Sequence, residues 1–156
     1  MSLKKTSSVI ALSALSFVAS ASSGTIEWTR DVPTVCGITI DDGSGSILFQ
    51  DDEGGKPTVF TVKSNSNFQG NQMGAKLSVQ VQSKSDNLRD IEEGDTILHV
   101  LNSKSQSKSI DQWDGSPNAF IPSGRHESYL EIMKESKDIE GGVASMTTLL
   151  TVDCSK

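Results

Sequence analysis

Ala144-Ser145-Met146-Thr147-Thr148-Leu149-Leu150-Thr151-Val152-Asp153-Cys154 alternates almost without a fault. Met146, Thr148, Leu150, Val152 and Cys154 share one parity. A strand sends every second side chain to the same face, so these five form one inward row that ends on a cysteine. Nearer the other end of the chain, in residues 35–40, Cys36, Ile38 and Ile40 form a matching row that begins on a cysteine. The chain has two cysteines in all. The expectation is that the first and last strands of one domain lie side by side, tied by a Cys36–Cys154 disulfide.

The beginning of the chain supports that chemistry. Lys4 and Lys5 precede an apolar core over residues 9–18, and Ala19-Ser20-Ala21 is a small-residue cleavage site. This is the pattern of a secretory signal peptide over residues 1–21, and its apolar run is too short to span a bilayer. Removing 21 residues from 156 leaves 135, the size of one domain with a real core. Two cysteines in an exported chain read as one disulfide. The competing reading, two thiols on a metal, lacks ligands at close spacing. Without Lys4 and Lys5 the formal charge goes from −6 to −8. An acidic chain with no basic stripe does not suit nucleic acid or anionic lipid, and no later segment is long enough for a membrane span.

Outward from the two rows, short strand signals recur between turn residues. Residues 25–32 alternate, with Ile26, Trp28 and Val32 on one face and Arg30 intruding on it. Residues 46–50, 58–63, 75–82, 96–101, 119–122 and 128–134 read as further strands. Leu77, Val79 and Val81 make 75–82 the clearest of them, and 96–101 is apolar enough to be buried on both faces. Asp41-Asp42-Gly43-Ser44-Gly45 and Asp51-Asp52-Glu53-Gly54-Gly55 read as turns. Residues 64–74 and 102–109 read as loops, and 86–95 as an acidic connection with room for one helical turn. No stretch has helical periodicity, and the connections are too short for helices between strands. The fold class is all-β: an antiparallel β-sandwich of about seven to nine strands with one disulfide. Its domain covers residues 35–156, preceded by an N-terminal extension over 22–34.

The extension is the part most informative about function. A free alternating segment can add as a strand to a sheet edge, with backbone bonds giving affinity and alternate side chains filling pockets. Three stretches carry a resemblance: the tail Thr25-Ile26-Glu27-Trp28-Thr29-Arg30-Asp31-Val32, the run Val35-Cys36-Gly37-Ile38-Thr39-Ile40, and Glu140-Gly141-Gly142-Val143-Ala144-Ser145-Met146-Thr147-Thr148-Leu149-Leu150-Thr151-Val152. The last is similar to a Gly-x-Ala-x-Met-Thr-x-x-x-Thr-Val ending. Together they resemble bacterial fimbrial subunits of the chaperone–usher kind, over the two ends of the exported chain. The resemblance implies an immunoglobulin-like domain that lacks its final strand. A periplasmic chaperone fills the vacant groove, and an outer-membrane usher oversees its replacement by the next subunit's tail. It further implies a location on the cell surface and a host or surface receptor. By that analogy Ile26, Trp28 and Val32 are the donor-strand contacts. The alternative is a free-standing periplasmic or secreted binding module whose own first strand is 25–32.

Motifs for chemistry are sparse. His99 sits in an apolar run and reads as a hydrogen-bonded face or core residue, and His126, after Gly124-Arg125, reads as a solvated loop residue. Neither a His-x-Glu-x-x-His pattern nor a Gly-x-Ser-x-Gly elbow occurs, so no catalytic residue and no cofactor is assigned. The acidic clusters match no EF-hand spacing and read as solvated turns that blunt sheet edges. Glu92, Glu93 and Asp95 would be the first choice if a metal were bound. Trp113, in Asp111-Gln112-Trp113-Asp114-Gly115, is the candidate ligand contact, because a large aromatic in a polar loop can stack on a partner.

Overall fold

The structure, a computed structural model, describes residue 27 and residues 29–68, 72–101 and 105–155. The chain divides into two units, Met1–Asp31 and Val32–Lys156. The signal-peptide residues, Ile26 and Trp28 lie outside the described residues. In the first unit Glu27 and residues 29–31 are exposed and belong to no strand.

Over its described residues the second unit is a two-sheet β-sandwich of nine strands: β1 (Cys36–Asp42), β2 (Ile47–Phe49), β3 (Thr58–Ser64), β4 (Gly74–Lys84), β5 (Thr96–Leu101), β6 (Gln106–Ser109), β7 (Phe120–Pro122), β8 (Gly124–Ile132) and β9 (Met146–Asp153). The larger sheet runs β1-β3-β8-β5-β6 and the smaller β7-β4-β9. Every pairing is antiparallel except one. β8 is long enough to pair β3 with its first half and, in parallel, β2 with its second. The described strand connections are loops and short 3-10 turns, as the short, Gly-rich spacing predicts. Among the described residues no helix is long and apolar enough to cross a membrane.

The core lies where the alternating rows of the two sheets meet. Phe60 and Val62 of β3, Ala75, Leu77 and Val79 of β4, and Leu98 and Val100 of β5 are all buried. A smaller cluster, Leu88, Ile91 and Ile132, closes one end under the acidic connection. That connection holds two 3-10 turns, Asp86–Leu88 and Glu93–Asp95, in place of one helical turn.

Three local expectations are corrected. Residues 96–101 bury only one face: Thr96, Leu98 and Val100 are buried, Ile97 and His99 are half-buried, and Leu101 is exposed. Residues 106–109, expected as loop, form the edge strand β6, paired with β5 from Ile97↔Ser109 to Val100↔Gln106. His126 is not solvated. It lies in β8, 2% exposed, stacked at 5.3 Å on Phe60, and its Nε2–H donates to Pro122 O at 2.9 Å. Burial holds its imidazole below the usual histidine range.

Candidate functional site: the cleft between the first and last strands

β1 pairs only with β3, and β9 only with β4, among the described strands. Both are sheet edges, and they border the same long side of the sandwich. At one end they are joined. Cys36 and Cys154 form the expected disulfide, with Cα atoms 5.9 Å apart. At the other end they part around a cleft of about 270 Å³. Ligand pockets for drug-sized molecules start at roughly 300 Å³, so this space is on the scale of one or two side chains.

The cleft follows from the alternation. β9 alternates half-buried and exposed along its whole length. Its inward residues Met146, Leu150 and Val152 pack against the core from one side only. Across the cleft, Ile38 is half-buried, and Ile40, which shares its parity, is 52% exposed. The floor is apolar, made by Phe60, Leu98 and Leu130 with Leu150, and the mouth is polar, made by Asp42, Ser44 and Ser46. Gly45 lets the mouth loop pass close to β3, since a Cβ there would sit 2.7 Å from Thr58 Cγ2. Asp42 anchors the same loop. It accepts from Lys56 Nζ at 2.9 Å and from the N–H and Oγ of Ser44 at 3.0 and 2.9 Å. Lys56, then Ser44, hold its carboxyl down to about 2. Such a cleft can hold apolar side chains of an extended segment. Its walls also present the backbone edges of two strands left unpaired among the described residues, which is what an added strand needs.

The other candidate residues fall elsewhere. Trp113 is 1% exposed and is corrected from a ligand contact to a core residue. Its loop is drawn onto β4 by two backbone bonds, Val79 N–H to Trp113 O at 2.8 Å and Gly115 N–H to Leu77 O at 3.0 Å. Lys108 Nζ lies over its ring at 4.9 Å. Val32 is 73% exposed; the other two donor-contact residues are outside the described residues. Glu93 and Asp95 sit in the 3-10 turn before β5, with Glu92 just ahead of it. Among the described residues no three His, Cys, Asp or Glu side chains gather as a metal site.

One polar constellation was not foreseen. On the outer face of the larger sheet, His99 bridges Ser107 Oγ through Nδ1 and Glu131 Oε2 through Nε2, both at 2.7 Å. The three residues stitch β6, β5 and β8 together. They lie on a sheet face, away from the cleft, and outward parity was the only signal that could have grouped them. No protein-family model matches the chain, and neither does any curated protein or any solved structure.

Proposed function

We propose that this chain is a structural or adhesive subunit of a bacterial surface fibre, exported through the periplasm and assembled by strand donation. One observation carries the reading: the two edge strands β1 and β9 border an apolar-floored cleft that no strand of the described domain fills. The occupant is the alternating N-terminal extension, residues 22–34, of a neighbouring copy. Before assembly the cleft needs a temporary occupant, which is the task of a periplasmic chaperone. The role is one of binding and building, with no catalytic step.

The test is the association state of the chain from Ser22. It should form linear assemblies on its own or after release from a chaperone. Deleting residues 22–34 should abolish them while leaving the far-ultraviolet β signal of the core in place. A lone stable monomer that unfolds on the same deletion would refute strand donation and favour a free-standing exported binding module.

A further inference from the structure

The cleft is a wedge with one closed end. Its walls run antiparallel to each other, because the start of β1 is bonded to the residue after the end of β9. A strand seated between two others needs about 9–10 Å between its neighbours, twice the usual strand spacing. At Cys36 and Cys154 the two backbones are 5.9 Å apart, so no chain passes there. The wall of β9 that lines the cleft runs from Met146 to Leu150. That length holds about five extended residues.

The inference rests on the strand-donation reading and specifies it. A donated segment is tied at its C-terminal end to its own folded domain, so its free N-terminal end must enter first and point at the disulfide. Residues 33–35, just ahead of β1, are held beside Asn65. Val35 N–H donates to Asn65 Oδ1 at 2.7 Å, Asn65 N–H to Val35 O at 3.2 Å, and Asn65 Nδ2 to Pro33 O at 2.8 Å. Asn65 thus holds residues 33–35 in line with β1, heading past the disulfide. The occupant is taken to be a second copy, because its extension carries an Arg30 that complements the acidic mouth at Asp42.

We propose that the Cys36–Cys154 bond is an end-stop, so that the second copy donates only about five residues, Ile26 to Arg30, with Arg30 left at the mouth beside Asp42. Alternation fixes the register. Ile26, Trp28 and Arg30 share a face. Sliding the segment two residues deeper would put the guanidinium over Phe60, Leu98 and Leu130, where a charge has no partner. Sliding it two residues out would put Gly24 in the deepest position, where it fills nothing. In the chosen register the two large apolar side chains take the floor and the cation meets an acidic mouth. Asp42 is ionised and 43% exposed. A carboxylate has acceptor sites to spare beyond those used by Lys56 and Ser44.

Charge reversal in the chain from Ser22 tests the register. Arg30→Glu and Asp42→Lys should each weaken association by about tenfold, the effect of one charge-assisted contact, as read by sedimentation. The two together should recover most of that loss. Because Asp42 also anchors its own loop, the recovery and not the single loss is diagnostic. A double variant no better than the worse single one overturns the register. Hydrogen exchange on the assembled protein tests the end-stop: amide protection in the donated segment should be confined to residues 26–30. Protection running through 22–34 with the disulfide intact overturns it. Association that survives deletion of 22–34 unchanged refutes strand donation itself, an outcome distinct from both.

Discussion

Along one long side of the sandwich, β6 and β7 are joined across the layers. Gln106 Nε2 donates to Phe120 O at 2.9 Å, and Lys108 Nζ to Asn118 O. Beyond the short β7, the edge of β4 is capped by the Trp113–Gly115 backbone. Trp113, Ala119 and Ile121 are consequently sealed, at 1% exposure or less. Gly74 shows how close the fit is: a Cβ there would lie 2.3 Å from Ile121 O. Along the opposite side, rows of the same apolar chemistry stay half-open at Ile38, Met146 and Leu150, and Ile40 stays exposed. Among the described residues the two sides differ in whether a covering segment is present, and much less in what they would bury. Half-burial along the regular alternation of β9 therefore points to a missing neighbour rather than to a weak strand.

The largest effect should come from cutting the one covalent tie on the open side. Replacing Cys36 and Cys154 together by Ala releases a loop whose ends are 118 positions apart. The entropic account of such a cross-link gives a loss of about 4–5 kcal/mol, readable by urea unfolding. A loss under about 1 kcal/mol, a small fraction of that value, would mean that β1 and β9 hold together without it. The asymmetry itself is tested next. Trp113→Ala should cost about 3–5 kcal/mol, as for a sealed large aromatic. Leu150→Ala in the unassembled chain should cost only about 1–2 kcal/mol, because that side chain is only partly buried. Equal losses would erase the contrast between the sides. On the strand-donation proposal, the cost of Leu150→Ala should rise when a donated segment fills the cleft.

These residues also show how far sequence reaches. The rows of β4 and β9 and the disulfide were legible because parity places a side chain inside or outside, whereas the β1 row expected to face inward has Ile38 half-buried and Cys36 and Ile40 exposed. The sealed side was not. Trp113 sits among polar residues because its neighbours spend their backbone groups on β4, which composition does not reveal. β6 looks like a loop because its inward positions are Gln106 and Lys108, whose polar ends reach backbone carbonyls across the layers. His126 follows Ser123-Gly124-Arg125, which has the look of a turn, yet Gly124 already pairs with Val62. The cleft was expected only through a likeness to known subunits. Its position depends on which strands are left as sheet edges, and pairing order is a long-range property that no local pattern carries.

The finest contrast lies within the open side, between its mouth and its closed end, and acid should expose it. At the mouth Asp42 is held down to about 2 by Lys56 and Ser44. At the closed end Asp153 is held to about 2 by the N–H and Oγ of Ser155, both at 2.8 Å, then by Lys76 Nζ at 3.0 Å. A carboxyl whose folded value lies below its unfolded value of about 3.9 adds stability above that unfolded value. The contribution is lost as pH falls through the folded value. The wild type should therefore lose stability between about pH 4 and about pH 2, beyond what its other carboxyls impose. Asp42→Asn and Asp153→Asn should each flatten that limb, and the combination more than either. Both groups are solvent-exposed, so salt should shrink the effect. Thermal melts at stepped pH and two ionic strengths read it. If both single variants kept the wild-type slope, the two carboxylates would be ornaments of their loops, and the mouth would have no electrostatic character to offer an incoming cation.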